Sequence, residues 1–215
     1  MTYYDLTIDK YLQIKEILEQ GEDDLQMQVA MLCVINECGE DDLLDLPLNE
    51  YKRKAAELSF LRQSPQPRPQ CPKTITIDKE VYESIRDIKK LTAGQYIDYQ
   101  SLLKSEDFYS IIPNILAIFF VPKGKDYGKG YDIMDEVEKI RNNISIGFAL
   151  DVCFFFQMQS ISSIKRTLDC LVLMTKVKMF KTKDKEMKAK LRTALEKIQE
   201  LKDSFVNGLG SIKLT

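Results

Sequence analysis

The chain has no histidine and no tryptophan among its 215 residues. Because histidine is the commonest general base and a frequent metal ligand, this absence excludes Ser–His and Cys–His catalytic pairs and every zinc site that contains histidine. The five cysteines are an odd number, and none forms a Cys-x-x-Cys pair. A disulfide framework or a four-cysteine zinc site is therefore not expected, and free thiols in a reducing cytoplasm are the simple prediction. The sequence offers no candidate catalytic, cofactor-binding or metal-ligating residue.

The chain also lacks a hydrophobic run long enough to cross a membrane. Its two most apolar runs are "IIPNILAIFFV" and "IGFALDVCFFF", each about half a membrane span, and the second contains Asp151. The first residues show neither a basic region nor a long apolar run, so we expect no signal peptide. Hydrophobic residues make up 44% of the chain, which is enough for a packed core. Both runs are predicted to be buried core.

The net charge is only −2, but it is unevenly spread along the chain. Residues 1–64 carry 6 basic and 14 acidic side chains, a net charge of −8, whereas residues 165–215 carry 13 basic and 6 acidic side chains, a net charge of +7. Such polarity can steer a head-to-tail contact or attract an anionic partner to the C-terminal end. A solvated basic helix beside an acidic domain is the simpler alternative, and the sequence leaves both open.

Capping and turn residues predict a small helical unit over residues 1–62. Thr7 is a good N-cap for a helix with apolar residues at close to a 3.6-residue period, and Gly21 ends that helix. A second helix starts at Asp23 or Asp24, and after a short helix a last one begins near Pro47. The positions predicted to face inward include Leu18, Leu25, Val29 and Leu32.

A proline-rich segment follows this unit. "RQSPQPRPQCP" (62–72) holds four of the seven prolines, which predicts an extended linker, with a ligand for a polyproline-reading domain as the alternative. "KTITI" (73–77) is β-branched and alternating, so we predict one short strand, whose partner could be another copy of the chain. "DKEVYESIRDIKKL" is then predicted as an amphipathic helix with apolar residues at Val81, Ile85, Ile88 and Leu91.

The stretch "LTAGQYIDYQSLL" (91–103) contains a glycine that could suggest a phosphate loop. Thr92 is a good N-cap residue and Gln95 lies three positions further on, which is the spacing of a capping box. A single glycine does not match the spacing of a phosphate loop. We therefore predict a helix start, with Tyr96, Tyr99 and Leu103 on one face.

The centre of the chain predicts buried elements around one polar loop. Ile111–Val121 is apolar on every side and should be fully buried, ending at Pro122. "PKGKDYGKG" (122–130) favours a solvated turn, with a contact to phosphate or nucleic acid as the alternative. "YDIMDEVEKIRNNI" and the stretch from Ser145 to Phe180 both read as helices. Asp151 is expected to pair with a lysine or to cap a neighbouring helix.

The last helix is basic and amphipathic. Its apolar residues have the spacing of a coiled-coil-like seam, with Gly208 at its end: Met187, Leu191, Leu195, Ile198, Leu201 and Phe205. We predict a mainly α-helical fold with few or short strands, in which residues 63–73 link the first unit to a helical domain over 74–206, and 207–215 form a tail. The candidate interaction residues are lysines near the start of the last helix: Lys181, Lys183, Lys185, Lys188 and Lys190.

The order of these segments resembles two groups of phage proteins. "DLTIDKYLQIKEILEQ", an acidic break and "DDLLDLPLNEYKRKAAELSFL" are similar to the N-terminal part of tail-assembly chaperone-like proteins of tailed bacteriophages. "LTAGQYIDYQSLL", "IIPNILAIFFVPKG" and "YDIMDEVEKI" resemble structural-module proteins of the crAss-like phages that infect Bacteroides. The similarity covers about the first two-thirds of the chain and lies in helix-start and hydrophobic motifs. It implies a virion or virion-assembly protein, present in the virion and in the host cytoplasm during assembly.

Three hypotheses about function follow. The first is a non-enzymatic structural protein of a neck or tail ring, which forms a homo-oligomer and contacts other phage structural proteins. The second is a tail-assembly chaperone that is not retained in the particle. The third is a nucleic-acid-associated protein that uses the basic C-terminal region, against which the overall acidity of the chain counts. An enzyme is the weakest reading, since no carboxylate pair or other catalytic set is visible.

Overall fold

The structure, a computed structural model, describes residues 1–21 and 24–209, with side chains as far as residue 203. Helices hold 68% of the residues and strands 7%, which confirms the predicted mainly helical fold. The chain forms two compact units, Met1–Phe156 and Gln157–Thr215, which we call the N-terminal unit and the C-terminal unit. The boundary between them falls inside one long helix, α8 (Ile146–Lys181).

The N-terminal unit contains most of the secondary structure. In its first half the described residues form four helices and a short 3-10 helix: α1 (Ile8–Gln20), α2 (Asp24–Asn36), α3 (Glu40–Leu44), α4 (Leu48–Glu57) and the 3-10 helix Leu58–Arg62. Its second half adds three strands, a 3-10 helix and three helices before α8: β1 (Thr74–Ile77), β2 (Glu80–Ser84), the 3-10 helix Ile88–Lys90, α5 (Ala93–Leu102), α6 (Phe108–Phe119), β3 (Phe120–Pro122) and α7 (Ile133–Asn143).

The division into units differs from the predicted division into residues 1–62 and 74–206. Helix α1 packs against α6 and α7 as well as α2, and its Ile8 and Ile14 are fully buried. The main chain before α1 is also hydrogen-bonded to the start of α8, because the N–H of Ile146 donates to the carbonyl of Leu6 at 2.8 Å. Four short helices have too little apolar surface to form a core of their own, so they share one with the rest of the N-terminal unit.

Local capping follows the sequence closely. The Thr7 hydroxyl accepts the N–H of Lys10 and starts α1, and Gly21 ends that helix with a φ of 65°. Thr92 and Gln95 form the predicted capping box, with the Thr92 N–H 3.0 Å from Oε1 of Gln95. Gln95 is also buried, and its side-chain amide donates to the carbonyl of Ile118 at 2.9 Å. The prediction of a helix start at Thr92 is confirmed.

The predicted amphipathic helix after "KTITI" is wrong. β1 and β2 form an antiparallel hairpin, and β3 pairs with the other edge of β2. Asp78 and Lys79 form the tight turn with φ values of 47° and 70°, the positive values that a two-residue hairpin needs. The short strand is confirmed, and β2 of the same chain is its partner. The apolar residues of this segment fit a helical spacing, but the segment forms a strand because β2 pairs on both edges and buries Tyr82 completely.

The proline-rich segment is extended, as predicted, but it is anchored to the N-terminal unit. Cys71 is buried, and the Ser84 hydroxyl donates to the carbonyl of Pro72. The N–H of Arg68 and the side chain of Gln70 both donate to Asp151. These contacts explain why the segment does not separate two domains.

The central apolar run is buried, as predicted. Ile111 to Phe119 lie in α6, and the chain continues directly into β3, which ends at Pro122. The rings of Phe119 and Phe156 stack with their centroids 3.6 Å apart at the centre of this core. Two positions that were predicted to face inward are instead exposed, because the helices that carry them lie at the surface: Leu18 and Leu25.

The C-terminal unit, as far as the structure describes it, is a pair of helices. It consists of α8 from Gln157 onward and α9 (Lys185–Leu209), separated by three residues at 182–184. Asp184 caps α9, since its carboxylate accepts the N–H of Glu186 at 2.8 Å. The Lys202 ammonium lies 2.6 Å from Asp169. In one straight helix these residues would be about 50 Å apart, so the chain must turn back at the break and the two helices run antiparallel.

Both helices of the pair carry a half-buried seam with alternating spacings of three and four residues, as in coiled coils. On α8 the seam consists of Leu168, Val172, Thr175 and Met179, and on α9 of Lys188, Leu191, Leu195, Ile198 and Lys202. The predicted seam of α9 is therefore correct at its centre and wrong at Met187 and Leu201, which are exposed. The side chain of Phe205 lies outside the described residues. Gly208 does not end the helix, which continues to Leu209 and so overlaps the predicted tail at 207–215.

Candidate interaction surface

Asp151, the one charge in the apolar run of α8, is 0% exposed. Its carboxylate accepts hydrogen bonds from the Tyr4 hydroxyl at 2.9 Å, the Arg68 N–H at 2.5 Å and the Gln70 side chain at 2.8 Å. Burial and this carboxylate raise the pKa of Tyr4, so the hydroxyl stays a donor. The expectation of a lysine partner or a helix cap is wrong. Asp151 instead ties the N-terminal residues and the proline-rich segment to α8.

Glu136 of α7 is a second buried carboxylate with a structural role. It accepts hydrogen bonds from the hydroxyl of Tyr82 and from the ammonium of Lys139, the latter at 2.9 Å. Lys139 also lies 3.4 Å from Glu80 of β2. Burial, and then the bond to Glu136, raise the pKa of Tyr82 far above its ordinary value, so this phenol stays protonated. The cluster joins the sheet to α7.

The glycine-rich loop at 122–130 is a turn, as the sequence favours. Its lysines each lie near a carboxylate: Lys123 is 3.9 Å from Glu83, Lys125 is 3.6 Å from Glu80, and Lys129 is 3.6 Å from Asp126. The Tyr127 hydroxyl donates to Asp98 at 3.1 Å. These pairs partly neutralise the charge that an anion would need, so the loop is a poor candidate for a phosphate site.

The five predicted interaction lysines lie around the break between α8 and α9. Lys181 is the last residue of α8, Lys183 lies in the break, and Lys185 is the first residue of α9; all three are exposed. Lys188 is half-buried in the seam, and Lys190 lies 2.8 Å from Glu186. The structure therefore brings the five together at one end of the helical pair, but only the first three are both exposed and without an ion pair among the described residues.

A second apolar stripe on α8 was not predicted. Leu173 is 63% exposed, Val177 is 44% exposed and Phe180 is 91% exposed. Their spacing of i, i+4 and i+7 places all three on one face of the helix. At about 100° per residue, this stripe lies about 140° around the helix from the half-buried seam. Lys176 and Lys181 fall on its two sides, and we call these five residues the lysine-flanked face.

The signal for this face is present in the sequence. Two apolar stripes occur in the second half of α8, and an amphipathic surface helix needs only one. The charges are denser in α9, and the helical pattern from Ser145 to Phe180 does not by itself assign the faces of that helix. Only the structure shows which of the two stripes is half-buried.

The described residues also bear on a metal site and on a membrane span. They contain no group of three or more His, Cys, Asp or Glu side chains placed to hold a metal ion. Within the same residues, no helix is both long enough and apolar enough to cross a membrane. Comparisons with family models, with curated proteins and with solved structures gave no match to this chain.

Proposed function

We propose that this chain is a non-enzymatic assembly protein that acts by protein–protein contact through its C-terminal unit. The observation that carries the proposal is the lysine-flanked face, where Leu173 and Phe180 are mostly exposed on a helix whose other side is already paired. Single exposed apolar residues are ordinary on protein surfaces, but a contiguous stripe is typical of an interaction site.

The architecture of the C-terminal unit supports this proposal. A pair of helices has one seam between them. An apolar stripe outside that seam is covered only when further helices pack on the pair, as in a helical bundle. The second stripe of α8 has the spacing that would meet such a helix or another apolar surface. A partner would therefore complete the core of this unit.

The N-terminal unit supports contact rather than catalysis. The two carboxylates that are buried among its described residues, Asp151 and Glu136, are engaged by donors from neighbouring segments and hold the fold together. A general acid or base must instead be within hydrogen-bond reach of a substrate. We interpret this unit as a rigid body that carries the C-terminal helical pair.

The resemblance to phage proteins gives the proposal a biological setting. In this setting the chain is a component of a neck or tail ring, or of another tail module, and is located in the virion after assembly in the host cytoplasm. The alternative is a tail-assembly chaperone that is not retained. Quantitative mass spectrometry of purified particles separates the two, because a structural component has a fixed copy number per particle and a chaperone is absent.

Matched double variants test the contact directly. We expect Leu173→Gln with Phe180→Gln to weaken self-association of the full chain in sedimentation velocity, because both remove apolar surface from the proposed contact. The control is Ile164→Gln with Leu171→Gln, which changes two exposed apolar residues with the same seven-residue spacing on the opposite side of α8. Equal association of both variants and the wild type would overturn the proposal.

A further inference from the structure

The N-terminal unit has an acidic counterpart to the lysine-flanked face. In α3 and the residues after it, Leu44 is 64% exposed and Leu48 is 65% exposed. Four exposed carboxylates lie in the same short segment: Glu40, Asp41, Asp42 and Asp45. We call these four residues and the two leucines the acidic leucine corner. The corner therefore combines apolar side chains with negative charge, as the lysine-flanked face combines them with positive charge.

The acidic leucine corner is held firmly at the surface. Leu43 of α3 is almost fully buried and anchors the helix to the core. The Asp42 carboxylate accepts the N–H of Gly39 at 2.9 Å, which fixes the start of the helix. A second hydrogen bond, from the N–H of Asp45 to the carbonyl of Asp41 at 2.9 Å, closes its end. Such a surface can bind a partner with little loss of conformational entropy.

The charges of both surfaces are unpaired among the described residues. The ion pairs there do not include the four carboxylates of the corner, nor Lys176 and Lys181 of the lysine-flanked face. The segments around them extend the same polarity, with a net charge of −8 over residues 1–64 and +7 over residues 165–215. Opposite potentials of this kind accelerate association and fix its orientation.

We propose that the lysine-flanked face of one copy binds the acidic leucine corner of a second copy. The inference rests on the proposed function and names the occupant of the interaction surface. Leu44 and Leu48 meet the stripe of Leu173, Val177 and Phe180, while the carboxylates lie beside the lysines. Pairing of two lysine-flanked faces is disfavoured because it would bring like charges together.

The proposed contact is head-to-tail. Each copy has one surface of each kind, so a bound pair still has one free corner and one free face, to which further copies can bind. Such heterologous contacts produce a closed ring where the rotation between copies allows it and a filament where it does not. This is the geometry that a ring component requires.

Reciprocal charge reversal tests the pairing. One variant, Lys176→Glu with Lys181→Glu, makes the face acidic. The other, Glu40→Lys with Asp41→Lys and Asp45→Lys, makes the corner basic, because only the Asp42 carboxylate remains there. We expect each variant alone to self-associate about tenfold more weakly than the wild type, or more weakly still, because every contact then joins like charges. The control is Lys89→Glu with Lys104→Glu, which reverses two exposed lysines elsewhere and should leave association unchanged.

A mixture of the two variants gives the sharpest result. In an equimolar mixture each face meets a corner of opposite charge, so we expect association to return in sedimentation velocity, with the two variants alternating. A contact within one chain could not be rescued by mixing. Circular dichroism of each variant verifies that the helices are retained, and Asp41→Asn with Asp45→Asn should give an intermediate affinity.

The failure of this inference differs from failure of the proposed function. If reversal of the corner leaves association unchanged while Leu173→Gln with Phe180→Gln abolishes it, the face has another occupant and only this inference is overturned. Absence of rescue in the mixture also overturns it. If the wild type does not self-associate at all, both the inference and the proposed self-assembly are wrong.

Discussion

The main-chain N–H of Arg68 donates to the carboxylate of Asp151 at 2.5 Å, so a residue of the proline-rich segment is bound by a residue 83 positions later in α8. The same carboxylate accepts the Tyr4 hydroxyl and the Gln70 side chain. One buried acid thus ties two irregular segments to α8. This explains why a sequence typical of a flexible linker is fixed in place.

Replacing Asp151 with Ala should strongly destabilise the N-terminal unit. The change leaves three donors without their acceptor, and we expect a loss of about 3 kcal/mol or more in the free energy of unfolding by urea. Trypsin should also cleave after Arg62, where the segment begins, faster than in the wild type, because the segment is released. The control Glu138→Ala, at an exposed position of α7, should stay within about 0.5 kcal/mol of the wild type. Wild-type stability and cleavage in Asp151→Ala would contradict this account of the linker.

Gly147 marks a close approach between α8 and the N-terminal residues. A Cβ atom there would lie 2.9 Å from Cγ of Tyr4 and 3.0 Å from the main-chain carbon of Tyr3. We expect Gly147→Ala to lower the free energy of unfolding by about 1–3 kcal/mol, since the main chain must shift. Gly94→Ala is the matched control, because a Cβ atom at Gly94 would have no neighbour within 4 Å and alanine favours the helix. A neutral Gly147→Ala variant would show that the N-terminal residues do not pack in this way.

Thr92 should contribute measurably to stability through its capping box with Gln95. The Thr92→Ala variant loses the hydroxyl that accepts the Gln95 N–H, and we expect a cost of about 1 kcal/mol in thermal or urea unfolding. Ser101→Ala, at an exposed position of the same helix, is the control and should be close to neutral. An unchanged stability of Thr92→Ala would mean that the cap makes no net contribution.

The local part of the fold could be predicted from sequence because its causes are local. Thr7, Gly21 and Thr92 act within one helical turn, so their residue types are enough to place helix ends. The hairpin at 74–84 could not be predicted in this way, since strand pairing joins residues whose contacts depend on the whole core. Val81 and Ile85 fit a helical period equally well.

The candidate surface was only partly predictable for a similar reason. The cluster of lysines from Lys181 to Lys190 is visible as charge in the sequence, and the structure places it around one break. Whether a given apolar residue is exposed depends on which stripe pairs with α9, as the difference between Met179 and Phe180 shows. The pairing of Lys202 with Asp169 settles the direction of the two helices, and sequence spacing alone does not contain it.

The Tyr82–Glu136 hydrogen bond predicts a loss of stability at alkaline pH. The pKa of Tyr82 is raised by burial and by Glu136, whereas an unfolded tyrosine has a pKa of about 10. Above about pH 10 the folded state therefore holds a proton that the unfolded state has released, and the free energy of unfolding falls as the pH rises. Tyr82→Phe should show a shallower fall, by up to about one proton. Tyr96→Phe, at an exposed position, should keep the wild-type slope, and an unchanged slope in Tyr82→Phe would contradict this assignment.

The most direct test of the central claim is the molar mass of the full chain by light scattering over about a hundredfold range of concentration. Because the lysine-flanked face leaves apolar surface exposed in the single chain, we expect the wild-type mass to rise above 24.9 kDa as the concentration increases. The Leu173→Gln, Phe180→Gln variant should stay close to that value over the same range. A wild-type chain that remains at 24.9 kDa at every concentration would contradict the claim that this protein assembles with copies of itself.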